Sequence, residues 1–372
     1  MLYLDANATE PLRPEARMAM LTAADTVGNP SSVHAAGRAA RRILEDARES
    51  VATRYGPRPA DVVFTSGGTE ANALAVQALG AGRRIVIGAT EHDAVRSAAP
   101  DATILPVDRD GLADLGALAI LLASGPATLV CIMWANNETG VLQPIAEVTA
   151  ICRHHGALLH VDAVQAAGRI PVALGGIHSM AISSHKLGGP TGAGALLLAP
   201  DVTNITPMIA GGGQERGRRG GTHALPAIAG FAAAVNASSD CGPDGRVKPA
   251  GQIQRIRDSI EAAAIGCGAV VCGSGAPRLP NTTCLALPGI RADAQVMALD
   301  LDGICVSAGA ACSSGKVATS HVLTAMGLGA LAGQAIRVSL PYNTTADAAP
   351  VFATAYARMA DRLRTALAPR AA

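Results

Sequence analysis

Lysine is scarce in this 372-residue chain: Lys186, Lys248 and Lys316 are the only three. Lys186 follows an apolar run and stands beside His185, a poor setting for a solvated surface lysine. A lysine held away from water gives up its proton more readily, and the free amine is a nucleophile. Other reactive side chains repeat the pattern, because successive apolar runs end in polar groups. Val62–Thr65 runs into Ser66-Gly67-Gly68-Thr69-Glu70, and Arg84–Gly88 into Thr90-Glu91-His92. Leu129–Trp134 leads to Asn136-Asn137-Glu138-Thr139-Gly140, Leu158–Val161 to Asp162-Ala163-Val164-Gln165, and Met180–Ser183 to Ser184-His185-Lys186. A glycine turn entering a helix presents free N–H groups and a positive dipole end, which suits a phosphate. Ser66 or Thr69 as a plain helix cap explains the same residues. Alone, His92 reads as a surface or core histidine and Asp162 as a cap. Together, a phosphate cradle, a lysine, an aspartate, a histidine and an Asn/Gln pair supply most of what pyridoxal phosphate needs. That cofactor takes a Schiff-base lysine, a carboxylate against the pyridinium nitrogen, and donors for its phosphate.

Such side chains need a common edge to meet on. The apolar runs are separated by helix-length segments such as Glu70–Leu79 and Ile145–His154. This βαβ pattern predicts a mostly parallel, doubly wound sheet, with the ligand outside the carboxyl ends of its strands. A sixth run, Ala195–Leu198, follows Ser183 after residues 184–194 only. That is the lower limit for a helical crossover, so this strand is expected antiparallel to the one before it. Residues 115–134 carry no charge, but Ser124-Gly125-Pro126 divides them. A helix ending near Leu122 and a strand starting near Thr128 are expected rather than a membrane span. The turn-rich stretch Ser238–Gly245 places a domain boundary between about 235 and 250. A helix around Ile253–Ile265 and strands near Thr282–Leu287 and Ala335–Leu340 are expected beyond it.

Hydrophobic residues make up 49% of the chain and aromatic residues only 2%, so the core is built from Ala, Val, Leu and Ile. Thirty Lys+Arg against 29 Asp+Glu leaves a formal charge of +1. With no basic block and few aromatic rings, nucleic-acid binding is not expected. None of the eight cysteines forms a C-x-x-C pair, which leaves zinc-ribbon and thioredoxin-like readings without support. The N-terminus has neither a basic nor an apolar leader region, so a cytoplasmic protein with reduced thiols is expected. One cysteine stands apart. Cys312 lies in Gly309-Ala310-Ala311-Cys312-Ser313-Ser314-Gly315, small residues that could not form a core but suit a mobile nucleophile. Cys305, in Ile304-Cys305-Val306, is the better structural cysteine.

In order along the chain, these motifs resemble the cysteine desulfurases of the NifS/IscS type, fold-type I pyridoxal-phosphate enzymes of the class V aminotransferase-like family. The likeness covers essentially the whole chain. It begins with Tyr3-Leu4-Asp5-Ala6-Asn7-Ala8-Thr9 and Gly28-Asn29-Pro30-Ser31-Ser32, and runs through the strand ends above. It continues with Gly211-Gly212-Gly213-Gln214-Glu215-Arg216, Gly221-Thr222, Ser307–Ser314 around Cys312, and Ile336-Arg337-Val338-Ser339-Leu340. The resemblance implies an α/β fold: a large domain (14–240) with a mostly parallel seven-stranded sheet, and a smaller α+β domain (1–13 and 241–372) carrying the cysteine loop.

The resemblance also implies roles. Lys186 would carry pyridoxal 5′-phosphate, Asp162 would pair with the ring nitrogen, and Gln165 would hydrogen-bond the phenolic oxygen. His92 would stack on the ring and assist proton transfer. Gly68, Thr69, Ser183, Ser184 and His185 would hold the phosphate, which Thr222 would reach across a homodimer. Asn137, beside the cofactor, and Arg337 would bind the substrate carboxylate, for which arginine's planar fork is suited. L-cysteine would yield L-alanine and a persulfide on Cys312, passed to a sulfur acceptor such as an iron–sulfur scaffold. No resident metal is implied; Cys312 is at most a transient cluster ligand shared with a scaffold. Glu10, Ser184 and Thr191 depart from residues frequent in the family without removing a catalytic group. The alternatives are another enzyme of the same fold, such as a selenocysteine lyase or an aminotransferase, and a non-catalytic paralogue. The presence of both Lys186 and Cys312 argues against the last.

Overall fold

A computed structural model describes residues 1–238, 250–309 and 319–367. In chain order its strands are β1 (Leu2–Tyr3), β2 (Val62–Thr65), β3 (Arg84–Gly88), β4 (Thr103–Leu105), β5 (Thr128–Met133), β6 (Leu158–Asp162) and β7 (Ser179–Ser183). Then follow β8 (Gly194–Leu198), β9 (Val270–Val271), β10 (Thr282–Ala286), β11 (Ile304–Cys305), β12 (Ser307–Ala308) and β13 (Ala335–Ser339). The main sheet has seven strands in the order β2-β8-β7-β6-β5-β3-β4. Within it β8 runs against both neighbours, as expected, and the remaining pairs are parallel. The connection from β7 to β8 is too short for a crossover helix, so the chain turns back beside the strand it has just left.

The strands are buried on both sides, which explains their near-continuous apolar runs. Alternate residues feed two different cores. In β5, Val130 and Ile132 enter a core shared with the helices Ala35–Tyr55, Leu115–Ala123, Ile145–His154 and Leu225–Ala237. Leu129 and Cys131 enter one built against the Gly68–Gly80 helix. The chain passes from β3 outward to β4, then returns to place β5 on the other side of β3. The winding therefore reverses between β3 and β5, and such a reversal opens a crevice at the carboxyl ends.

A second set of elements surrounds a separate core. An antiparallel sheet in the order β12-β13-β10-β9 packs with the helices Ala250–Gly266, Ala292–Leu301 and Ala348–Leu367 around Ile260, Leu285, Leu299, Phe352 and Tyr356. The N-terminus joins this body, since β1 pairs with β11 and Asp5 bridges to Ser339. In β13, Ile336 and Val338 point into the core, so Arg337 between them points the other way.

Some element limits differ from expectation. The run read as Leu129–Trp134 is a strand over Thr128–Met133; Trp134 still donates its N–H to the Asp162 carbonyl at 2.8 Å. The edge strand β4 was not anticipated, because three residues ending before Pro106 carry no readable period. The long helices Ala35–Tyr55 and Ala348–Leu367 were not anticipated either. The first buries Ala40, Leu44, Ala47 and Val51, an i, i+4, i+7 stripe in which alanine weakens the signal. No helix among the described residues is long and apolar enough to cross a membrane.

Candidate active site

A cavity of about 420 Å³ opens where the carboxyl ends of the main sheet face Arg337 of the second body. The sequence expectations converge on it: Gly68 and Thr69 follow β2, His92 follows β3, Asn137 follows β5, Asp162 ends β6 and Gln165 follows it. Ser183, His185 and Lys186 come from β7 and the turn after it. Ser184 and Thr222 do not line the cavity. Ser184 is fully buried, and its hydroxyl lies against Gly189, where a Cβ would come within 2.2 Å of it. Thr222 is exposed. Cys312 lies outside the described residues; Gly309 and Thr319, the described residues on either side of its segment, both line the cavity.

Lys186 sits on a single 3-10 turn, Ser184–Lys186, at the end of β7. Its Nζ donates to the carbonyls of Asn7 (2.7 Å) and Ala8 (2.9 Å), so the N-terminal strap holds the amine. Burial, together with the positive charges of Arg337 and Arg169, pushes the Lys186 amine down to about 8, against the pull of Asp5 and Asp162. At neutral pH its nucleophilic free-base fraction is then more than ~100-fold that of an ordinary lysine.

Asp162 is held from two sides. Its Oδ1 accepts from the Val164 amide (2.9 Å) and its Oδ2 from Asn72 Nδ2 (2.7 Å). Asn72 was not among the sequence candidates, although it is one of only two polar side chains, with Gln77, in the apolar Ala71–Leu79 stretch, a signal that could have found it. The contacts behind it have a direction. Since Asn72 Nδ2 donates to Asp162, its Oδ1 accepts from His160 Nε2 (2.9 Å), and His160 Nδ1 then accepts from Ser179 Oγ (2.8 Å). Burial pushes the His160 imidazole down to about 4, so it stays neutral and this order is kept. Burial also pushes the Asp162 carboxyl up, opposed by Val164, His92, Asn72 and Lys186. A cationic ring nitrogen placed against it would supply a further opposing charge.

At the opposite wall Arg337 is 3% exposed. Its Nη2 pairs with Asp5 Oδ1 at 2.7 Å and its Nη1 donates to the Asn137 carbonyl at 3.2 Å. Its Nε has no partner among the described residues, an orphaned charge-assisted donor beside the cavity. His92 caps the short helix after β3, its Nδ1 accepting from the Ala94 amide at 3.1 Å, which leaves Nε2 as the proton-bearing nitrogen of the neutral ring.

The donor set fits pyridoxal phosphate. A carboxylate, a histidine and a deprotonatable lysine line one cavity with the N-terminus of the Gly68–Gly80 helix. Gly68 has to be glycine, because a Cβ there would come within 2.6 Å of Val164 Cγ2, beside Asp162. The absent side chain keeps the first helical N–H groups open to an anion. Glu70, in the first turn, accepts from the Ser66 amide (2.7 Å) and pairs with Arg219 (2.8 Å), tying the 211–221 loop to this cradle.

Comparison with known proteins agrees with this chemistry. Residues 2–350 match the family model for aminotransferase class-V. The chain is 39% identical over 367 residues to an IscS-like cysteine desulfurase of Mycobacterium tuberculosis, covering 92% of each. It is 42% identical over 364 residues to a cysteine desulfurase of Cereibacter sphaeroides, covering 93% of this chain and 92% of that one. The solved NifS-like protein of Rickettsia africae superposes with a TM-score of 0.89 at 36% identity, covering 97% of this chain and 99% of the other.

Proposed function

The chain belongs to the class-V aminotransferase family and is a pyridoxal-phosphate-dependent cysteine desulfurase, and from that premise we propose how its residues divide the reaction. The observation that carries this reading is the single cavity in which Lys186, Asp162, Gln165, His92 and Arg337 converge. When bound, pyridoxal phosphate supplies an electron sink for negative charge developing on the substrate. The helix N-terminus at Gly68 and Thr69, with Ser183 and His185, holds its phosphate. Lys186 carries it at rest and, released by the incoming amine of L-cysteine, takes the α-proton; its lowered basicity suits both tasks. Asp162, kept in place by Asn72 and Val164, would pair with the ring nitrogen. Arg337 and Asn137 fix the substrate carboxylate, which completes the unpaired Nε.

Cys312 is the sulfur carrier in this reading. Its thiolate attacks the substrate sulfur: an S–S bond forms, the C–S bond breaks, and the electron pair goes to the carbon. One proton delivered to that carbon by Lys186 or His92, and the α-proton returned by Lys186, complete alanine, and a persulfide remains on Cys312. The position of Gly309 and Thr319 at the cavity supports this role. The sulfur passes to an acceptor such as an iron–sulfur scaffold, and the working form is a cytoplasmic homodimer in which Thr222, exposed here, reaches the other subunit's phosphate. The division into domains at about residue 240 belongs to the same reading, supported by the two separate hydrophobic cores.

Cysteine added to the parent protein is expected to leave one extra sulfur on Cys312 in the mass spectrum. Cys312→Ala is expected to keep the yellow cofactor band and bind cysteine, yet lose alanine production by about 100-fold or more. Undiminished alanine release from that variant would remove Cys312 from the mechanism.

A further inference from the structure

Behind Gln165 lies a buried ion pair that the scheme above does not use. Arg169 stands four residues beyond Gln165 in the turns after β6, and its Nη1 donates to both Gln165 Oε1 and the Gln165 carbonyl, the latter at 3.3 Å. Its Nη2 donates to the Ala6 carbonyl (3.1 Å) and to Glu10 Oε2 (3.3 Å). Side-chain exposure is 7% for Arg169 and 4% for Glu10. Glu10 is anchored in turn: its Oε1 accepts from the Tyr342 amide (2.7 Å), and its own N–H donates to the His185 carbonyl (2.9 Å). One residue thus ties together, through its backbone and its carboxylate, the N-terminal strap, the segment bearing Lys186 and the chain just after β13.

The chemistry of an amide gives this arrangement its meaning. The two ends of a glutamine side chain have nearly the same shape, but one only accepts and the other only donates. Arginine can only donate, so the atom it touches must be the glutamine oxygen. Gln165 Nε2 is therefore turned to the other side, where it donates to the Asn7 carbonyl at 3.1 Å and has a second hydrogen to give. Gln165 lines the cavity. Burial pushes the Glu10 carboxyl up and the Arg169 guanidinium down, each opposed by the other, so the two charges persist as a unit.

We propose that Arg169, with Glu10 as its counter-charge, is a positioning residue that holds the Gln165 amide so that its Nε2 donor faces the cofactor's phenolic oxygen. The inference rests on the cofactor assignment above. A donor at that oxygen favours its anionic form and makes the adjoining imine nitrogen easier to deprotonate. Without Arg169 the amide is free to turn and present its oxygen, which favours the protonated form instead.

The test is a pH titration of the visible band, at about 420 nm, of the lysine-bound cofactor in the holoprotein. Arg169→Met alone would leave Glu10 buried and unpaired and could prevent folding. The paired variant Glu10→Gln with Arg169→Met removes both charges and leaves net charge unchanged; a Gln165→Ala background separates the direct push of Arg169 on the Lys186 nitrogen from positioning. The pair is expected to raise the midpoint of the band's titration by about one pH unit. Arg169→Lys, which still donates to Oε1, is expected to restore the parental midpoint. In a Gln165→Ala background the same pair should produce no further shift, because the group it positions is gone. An unchanged midpoint in the paired variant, or an equal shift with and without Gln165, overturns the proposal. Absence of the band in the parent protein is a different result: it removes the cofactor assignment, and this inference with it.

Discussion

At the residue scale, the side chains to which the proposed reaction is assigned and those that would prepare them differ in how they are found. Lys186, Asp162, His92 and Arg337 stand out by type and position along the chain. Asn72 and Ser179 do their work only through contact, by passing an oriented set of donors to Asp162. A hydrogen bond to a charged group contributes about 1.5–3 kcal/mol. Asn72→Leu is accordingly expected to weaken cofactor retention roughly tenfold or more, measured by titrating the apoprotein with pyridoxal phosphate. An affinity equal to that of the parent would show that Asp162 does not depend on it. The lysine makes a second prediction. Only its neutral amine can bond the cofactor, so the rate of apoprotein reconstitution should rise with pH and level off above about 8. Burial and Arg337 are the leading causes of that low value, so Arg337→Gln should move the plateau to higher pH. A plateau that stays in place would mean that burial alone sets the amine.

At the element scale, the 211–221 loop shows how a buried ion pair can fasten a segment. Glu215 is 5% exposed and accepts from Arg48 through two bonds of 2.8 Å, from the Phe64 amide at 2.9 Å and from His223 at 2.6 Å. It therefore joins the Ala35–Tyr55 helix, β2 and the loop. Glu215 and Arg216 both adopt left-handed backbone angles (φ 46° and 59°), a strained conformation for non-glycine residues that the surrounding bonds hold in place. Burial alone would raise the Glu215 carboxyl; the Arg48 and His223 bonds overcome it and hold it at about 2. The folded value lies below the ordinary 4.5, so the stabilisation is present above pH ~4.5 and is lost as pH falls towards 2. Glu215→Gln should cost about 3–5 kcal/mol at pH 7 in urea unfolding, because Arg48 is left buried without its counter-charge. That cost should shrink on going to pH 3. A cost independent of pH would assign it to packing. The glycines around Glu215 mark this loop in the sequence, but the Arg48 pairing spans 167 positions and has no local signature.

At the scale of the whole molecule, several apolar side chains of the N-terminal elements remain in water: Met18 (63% exposed), Leu21 (52%), Val27 (85%) and Val33 (82%). Exposed apolar side chains of this kind are what a subunit interface would cover, and the proposed homodimer would supply one. Sedimentation at micromolar concentration should give twice the 37.3 kDa chain mass, and Met18→Glu with Leu21→Glu should shift it towards the monomer. A monomeric parent would leave those residues needing another partner.

What the sequence alone determined was local. Near-continuous apolar runs, glycine and proline punctuation and short connections depend on neighbouring residues, so strands β2, β3 and β5 to β8, the reversed β8 and the polar strand ends were all legible. So was the family, because its motifs are short and contiguous. Tertiary structure decided which of those ends share a cavity: Gly68, His92, Asp162 and Lys186 do, while Ser184, a neighbour of Lys186, turns away towards Gly189. It also decided the partners that prepare the reactive groups, Asn72 for Asp162, Asp5 for Arg337, and Arg169 with Glu10 for Gln165. Asn72 and Asp162 are 90 positions apart, Asp5 and Arg337 are 332 apart, and Glu10 and Arg169 are 159 apart. A hydrogen bond requires about 3 Å and an orientation, and only packing of the whole chain supplies both across such separations.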